Sequence, residues 1–373
     1  MPSNAPAAVG DSTEDIDTPA LVVDLDAMEF NIGLMAENVA RAGRALRPHA
    51  KSHKCAEIAA MLLENGAVGV CCQKIGEAEA LVKNGVINVL ITNEVVTPLK
   101  LDRLARLARR AAVGICVDST AGIEALSQAA NRNGVAFRVL VEINVGQERC
   151  GAEPGKAAVE LALEVAVAPG LEFDGLQAYH GKSQHFRTAA ERSAASNAVA
   201  RKVRQTIDLL REAGLSCPTV SGGGTGSYGD DLELGAITEI QAGSYIFMDA
   251  DYANNLETGD KSKYFRQSLF VKACVISRPA LDRVVIDAGL KALSTDSGMP
   301  LLRDYPDVPY GRGGDEHGIL TAPQIGDRLD HGSSVWLIPS HCDTTVNLYD
   351  WIVATRRGRV EGVWPLVGRG AVT

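Results

Sequence analysis

Positive charge is in short supply in this chain. Over 373 residues, 37 lysines and arginines face 46 aspartates and glutamates, for a formal net charge of −9. A polynucleotide partner requires a basic face, and aromatics make up only 5% of the residues, so nucleic acid is excluded as a partner. Cysteine is sparse as well. Cys71 and Cys72 are adjacent, the other six are scattered, and no C-x-x-C pair occurs. That excludes a structural zinc knuckle and a disulfide scaffold, and it suits reduced thiols in a cytoplasmic protein. No apolar run approaches the roughly 18 residues of a membrane span. The opening MPSNAPAAVGDSTED has neither a basic n-region nor an apolar h-region. No signal peptide and no membrane partner are therefore expected, and residues 1–15 read as a loose tail.

What remains is a globular composition, 46% apolar and 22% charged, long enough for two domains. Valine-rich runs recur at Ala45–Ala50, Val68–Gln73, Val89–Asn93, Val113–Asp118, Phe137–Val145, Phe173–Tyr179, Thr219–Gly223 and Glu239–Ile246. Stretches with helical spacing separate most of them, among them Cys55–Glu64, Ile75–Lys83, Pro98–Arg110, Ala121–Asn133, Pro154–Ala166 and Thr188–Ala213. Such alternation means parallel β/α structure, and eight units predict a (β/α)8 TIM-type barrel, with an open doubly wound sheet as the alternative. From about Ser268 apolar strands recur without long helices, punctuated by glycine and proline, which predicts a C-terminal β-rich domain. The expected division is a tail 1–15, a barrel 16–265 and a β domain 266–373. The strand Ala20–Val23, ahead of a helix Leu25–Arg41, could join either domain.

Barrel chemistry gathers where strands end. The first strand runs out through Arg47-Pro48-His49-Ala50-Lys51-Ser52-His53-Lys54. Lys51 falls at the cavity, where partial burial is expected to lower its pKa and suit it to a Schiff base. Lys54, the competing amine, is expected on the following helix. The seventh and eighth strands end in Ser221-Gly222-Gly223-Gly224-Thr225-Gly226-Ser227 and Gln241-Ala242-Gly243-Ser244-Tyr245. Glycines let backbone N–H groups converge and hydroxyls add donors, as a phosphate requires. An amine for an aldehyde and glycines for a phosphate together imply pyridoxal 5′-phosphate. In Pro339-Ser340-His341-Cys342-Asp343, residues two apart on an extended segment share a side. His341 and Asp343 could thus ligate one labile Mg2+, Mn2+ or Ca2+, with zinc less suited, while Cys342 turns away. Asp315-Glu316-His317 reads as a solvated polar cluster.

The ordered series RPHAKSHK, GVCCQK, TNEV, GQERCG, QAYHG, SGGGTGS, QAGSYIFMDADY, DAGLK, DEHG and PSHCD, from about Asp17 to Gly370, resembles the metal-dependent D-threonine aldolases. These are alanine-racemase-like, fold-type III pyridoxal phosphate enzymes. The resemblance implies that Lys51 is the Schiff-base lysine and that Arg149 faces the pyridine nitrogen. It puts Gly223, Gly224, Thr225, Ser244 and Tyr245 at the phosphate, Tyr179 near the cofactor, His185 beside the metal, and His341 and Asp343 on it. In the related D-serine dehydratases a cysteine and zinc occupy the place of Asp343 and its metal. A homodimer is likewise implied.

The expected activity is retro-aldol cleavage of a D-β-hydroxy-α-amino acid to glycine and an aldehyde, with His185 or a metal-bound hydroxide as base. Erythro-β-hydroxyaspartate cleavage and dehydration of D-serine or D-3-hydroxyaspartate are the rival reactions. A second carboxylate on the substrate would call for an arginine or a lysine, with Arg303 and Arg312 as candidates. A non-catalytic pyridoxal phosphate-binding homeostasis protein is the remote alternative, disfavoured because such proteins lack the C-terminal domain.

Overall fold

The computed structural model describes residues 4–255 and 264–373. Strand β1 (Ala20–Asp24) passes straight into helix α1 (Leu25–Arg41), whose first turn is capped by the Asp24 carboxylate accepting from the Ala27 N–H at 3.0 Å. Eight parallel strands follow: β2 (Ala45–Leu46), β3 (Val70–Cys72), β4 (Asn88–Glu94), β5 (Ala112–Val117), β6 (Phe137–Glu142), β7 (Leu171–Ala178), β8 (Thr219–Gly222) and β9 (Glu239–Ile240). Neighbours pair in sequence from β3 to β9, and β9 pairs with β2 through Ala45 and Glu239. The ring closes between His49 and Cys71, where the Cys71 N–H donates to Pro48 O at 2.9 Å and the Ala50 N–H to Cys71 O at 2.8 Å. The predicted barrel is therefore present, and each of the eight strand runs maps onto one of its staves.

Outside the strands lie α2 (Ala56–Glu64), α3 (Ile75–Lys83), α4 (Pro98–Ala108), α5 (Thr120–Asn133), α6 (Lys156–Val167), α7 (Ala189–Glu212) and α8 (Tyr228–Leu234). Helix α8 is the one the sequence analysis passes over. It begins directly from the glycine-rich loop, is two turns long, and stops at Gly235, whose φ of +68° few other residues adopt. Inside the barrel the two halves differ. Cys71 and Cys116 join Leu90 and Leu140 in a small apolar cluster, the thiols packing as small hydrophobes. Cys72, one residue on, joins the main core, as strand alternation requires. Across the barrel the interior is polar: Arg47 pairs with Glu239 at 2.9 Å, and Ser221, Gln177 and Gln241 interlock by side-chain hydrogen bonds.

The β domain assigns β1 to itself. Strand β1 pairs antiparallel with β10 (Leu269–Ala280) and parallel with β16 (Trp351–Arg356), at Ala20–Lys272 and Val22–Val353. Strands β11 (Arg283–Ile286), β12 (Leu301–Leu302), β13 (Tyr310–Arg312), β14 (Gly318–Thr321), β15 (Ser334–Ile338) and β17 (Arg359–Pro365) complete the mostly antiparallel sheet. Strands β13 and β14 form a hairpin with Asp315–His317 at its tip.

The amino-terminal segment is not loose over its described residues. Gly10 N–H donates to Val360 O at 2.9 Å, Ser12 bridges Arg359, and the buried Lys272 ammonium donates to the carbonyls of Glu14 and Ile16 at 2.8 and 2.9 Å. An ammonium buried in an apolar sheet must find acceptors, and the backbone of this segment supplies them. Residues 256–263, at the end of the expected barrel range, lie outside the described residues.

Candidate active site

Lys51 occupies the turn after β2, and its side chain enters a cavity of about 290 Å3 at the carboxyl end of the barrel. The same cavity is lined by Arg149, Tyr179, His185, Gly224, Thr225, Ser244, His341 and Asp343. Two of the predicted residues stand apart. Gly223 does not line the cavity, and its φ of +69° shapes the turn that presents Gly224. The Tyr245 ring is fully buried against Phe265, with ring centroids 5.3 Å apart, and only its N–H reaches the site, donating to Thr225 Oγ1 at 3.0 Å. That bond ties the loops after β8 and β9 together.

The electrostatics around Lys51 run opposite to expectation. Burial pulls the ammonium down, but the Asp343 carboxylate 3.4 Å away, and then Tyr179, more than offset it, so the pKa is raised. Asp343 shows the counterpart: burial would raise it, yet Lys51 and His341 hold it below the ordinary carboxylate range. His49 is kept neutral by burial and by the charge of Lys51; its Nδ1 accepts the Lys51 N–H at 3.3 Å. Sequence reasoning missed His49, although it stands two residues before the lysine.

Lys54 is removed from contention. It sits in the turn before α2 at φ +50°, not on the helix, and its ammonium lies 2.5 Å from Glu77 with both side chains buried. Glu77 also accepts from the N–H groups of Gln73 and Lys74. Removing one member of such a pair strands the other charge, so Glu77→Gln is expected to destabilise the barrel by about 3–5 kcal/mol. Chemical denaturation monitored by far-UV circular dichroism measures this, and a loss below about 1 kcal/mol, the scale of an exposed pair, would refute it.

The glycine-rich loops leave no room for side chains. A Cβ on Gly224 would lie 2.4 Å from Gln184 Oε1, one on Gly226 2.7 Å from Gln184 O, and one on Gly243 2.8 Å from His49 O. Gln184 is itself fixed, accepting the Gly226 N–H at 2.8 Å and donating to Ser227 Oγ at 2.9 Å. Backbone and hydroxyl groups therefore form this wall, which fits a phosphate group, while Lys51 in the same cavity fits an aldehyde.

His341 and Asp343 share the cavity by a different geometry from the one expected. The segment is not extended: His341 caps a short helix, Cys342–Val346, so Asp343 lies in its first turn. Cys342 is buried and turned away as predicted, its N–H donating to the Asp249 carboxylate at 2.9 Å. His341 Nδ1 donates to Asp296 Oδ2 at 2.7 Å, and Thr344 Oγ1 to Asp296 Oδ1 at 2.9 Å. Burial alone would raise the Asp296 pKa, but hydrogen bonds from Ser294, His341 and Thr344 hold it at about 2. A histidine whose Nδ1–H is taken by a carboxylate has Nε2 available as a ligand, so the donor set fits a divalent cation. Among the described residues a separate group, Glu94, Asp118 and Cys150, also brings three potential ligand atoms within 4.8 Å of one another. It lies beside the buried Glu142, whose pKa is raised by burial and by Glu94, and Glu142 approaches Arg149 at 3.8 Å. Of the two arginines considered for a second carboxylate, Arg303 stacks on Trp336 and pairs with Asp304, and Arg312 donates to Thr295 Oγ1. Neither lines the cavity; Lys182 does.

A parallel barrel with an amine after its first strand, phosphate-type loops after its last two, and a β domain delivering further side chains to the same cavity defines a fold-type III pyridoxal phosphate enzyme. Residues 23–251 match the family "Alanine racemase, N-terminal domain", and 268–355 match a serine dehydratase domain. The chain is 45% identical to the D-threonine aldolase of Arthrobacter sp., over 98% of this chain and 96% of that one. It is 42% identical to the 3-hydroxy-D-aspartate aldolase of Paracoccus denitrificans (strain Pd 1222), over 98% and 95%. The crystal structure of D-threonine aldolase from Filomicrobium marinum superposes with a TM-score of 0.97 at 48% identity, covering 99% of this chain and 100% of that one. The chain belongs to the alanine-racemase-like D-threonine aldolase family and is an aldehyde-lyase.

Proposed function

We propose that this enzyme cleaves D-β-hydroxy-α-amino acids of the D-threonine, D-allothreonine and D-phenylserine type to glycine and an aldehyde, with pyridoxal phosphate and a divalent metal. The observation that carries the reading is the convergence of Lys51, His185, His341 and Asp343 on one cavity. Lys51 would hold the cofactor's aldehyde, Gly224, Thr225 and Ser244 its phosphate, and Arg149 would face its pyridine nitrogen. Bound there, pyridoxal phosphate supplies an electron sink for the carbanion left at Cα, and the cation supplies a Lewis acid for the β-hydroxyl. His341 and Asp343 would hold that cation. One imidazole and one carboxylate, with no thiolate, suit Mg2+, Mn2+ or Ca2+ better than zinc.

The protein's own contribution is the proton. Cleavage of Cα–Cβ requires the β-hydroxyl to lose its proton as the carbonyl forms, and His185, an imidazole lining the cavity, is the base that takes it. Tyr179 lines the same cavity, close enough to Lys51 to act on its charge, and would stand near the cofactor. Glycine then forms when Cα is reprotonated. Dehydration would instead require loss of the α-proton and departure of the hydroxyl, so the two outcomes differ in which proton is taken.

Product analysis of D-threonine, D-allothreonine, D-phenylserine and D-3-hydroxyaspartate, with and without chelator, tests the reading. Glycine with the matching aldehyde, lost on chelation and restored by Mn2+ or Mg2+, is expected. A keto acid with ammonia would overturn it in favour of a dehydratase. Glyoxylate from 3-hydroxyaspartate as the dominant product would move the substrate to that diacid, with Lys182 as a candidate partner for its second carboxylate. The family resemblance further supports a homodimer, and the sparse, free cysteines support a cytoplasmic setting.

A further inference from the structure

His185 is held by a carboxylate from a distant element. Its Nδ1 lies 2.5 Å from Oδ2 of Asp251, which sits on the short helical turn Ala250–Ala253, α9, and is buried. The other oxygen of Asp251 pairs with the Arg187 guanidinium. Arg187 also donates to Asp251 O at 2.7 Å and to Asn255 Oδ1 at 2.9 Å, and Asn255 donates to Gln184 O at 3.0 Å. The loop carrying the histidine is thus stitched to α9 at several points.

The same turn is fastened to the β domain. The N–H of Ala250 donates to Pro339 O at 2.9 Å and that of Asp251 to Ser340 O at 3.2 Å, immediately before His341. Asp249, preceding the turn, accepts from Cys342, immediately after it. One element therefore contacts both the barrel loop that bears His185 and the segment leading into the short helix that bears His341 and Asp343.

We propose that Asp251, backed by Arg187, is the positioning residue for His185. Accepting the Nδ1–H selects the tautomer whose bare Nε2 remains for the cavity, and the ionised carboxylate stabilises the imidazolium formed when Nε2 takes the β-hydroxyl proton. The guanidinium compensates the buried carboxylate, so the proton stays on the imidazole and is not passed to Asp251. The contacts of α9 with residues 339–342 fix this base relative to the other side chains of the site. The inference rests on the reading of His185 as the base.

The test uses holoenzyme labelled with 15N-histidine, with the His185 signals assigned by their absence in His185→Gln. The wild-type enzyme at neutral pH is expected to show the Nδ1–H tautomer at His185. Asp251→Asn, whose amide can present N–H instead of an acceptor, is expected to populate the Nε2–H form and to lower kcat about 10²–10⁴-fold, with little change in KM or bound-cofactor absorbance. Asp251→Glu should restore part of kcat and the native tautomer. If His185→Gln keeps full kcat, the base assignment itself fails. If His185→Gln is slow while Asp251→Asn retains both kcat and the Nδ1–H tautomer, the base stands and the positioning role falls. Should Asp251→Asn fail to fold, the wild-type tautomer still decides, because Nε2–H there would overturn the proposal.

Discussion

Lys51→Ala is expected to lower turnover on the order of 10⁴-fold or more and to remove the visible absorbance of the covalently held cofactor. The cavity contains two candidate amines, Lys51 and Lys182, and their surroundings differ. Lys182 lies exposed on the loop after β7, its N–H donating to Gln147 Oε1. Lys51 stands between His49 and Asp343, where the carboxylate stabilises its charged form before the cofactor arrives. An amine attacks a carbonyl only as the neutral species, so Asp343 has a cost: it raises the barrier to loading the free lysine. A cation on Asp343 would relieve that by withdrawing the carboxylate from Lys51. Lys182→Ala is expected to keep the absorbance, and Lys54→Ala to destabilise the fold through Glu77 without abolishing cofactor attachment. Retention of both absorbance and full turnover in Lys51→Ala would remove the lysine from the site.

The barrel is legible because its signals are local. Val113–Asp118 and Phe137–Val145 are β-branched runs of strand length, and Ile75–Lys83 repeats apolar residues at helical spacing, so each element declares itself within ten residues. Helix α8 and strands β12 and β13 fail that condition. Two turns or two to three residues carry too little periodicity, and their conformation comes from what they pack against. The order in the described part of the amino-terminal segment escapes the sequence for a related reason. Nothing in its composition reveals that Lys272, more than 250 positions away, needs two carbonyls.

The site divides along the same line. Lys51, Thr225 and Ser244 are legible as candidates because they follow the ends of strands, which are positions a sequence declares, and all three line the cavity, as does Arg149, which only the family resemblance singles out. Their partners were missed because partnership is three-dimensional. Asp251 and Asp296 are ordinary acidic residues in sequence, yet one takes the Nδ1 of His185 and the other that of His341. The pattern H-x-D was read through strand alternation, whereas a helix start brings the two side chains to one cavity. The two side chains do line one cavity, but by way of that helix start and not by alternation along a strand. The sign of the Lys51 shift was likewise beyond reach, since it depends on a carboxylate supplied by the other domain.

His341→Ala is expected to abolish metal-stimulated cleavage, a loss of about 10²–10³-fold in kcat/KM if the Lewis acid contributes several kcal/mol. Histidine is the cleaner target of the two ligands. Asp343 also contacts Lys51 and Ser244, so Asp343→Asn would disturb the lysine along with the cation. His341, by contrast, donates its Nδ1 to Asp296, outside the cavity lining, which leaves the loss at Nε2 interpretable. The carboxylate behind it makes a graded companion. Asp296→Asn keeps the ligand but loosens its orientation and basicity, so Mn2+ affinity measured by calorimetry should fall about 10–100-fold, less than in His341→Ala. At saturating metal Asp296→Asn should regain most of its kcat, whereas His341→Ala should not. If His341→Ala keeps native activity and native sensitivity to chelator, the metal is held elsewhere. Glu94, Asp118 and Cys150 would then be the group to substitute next.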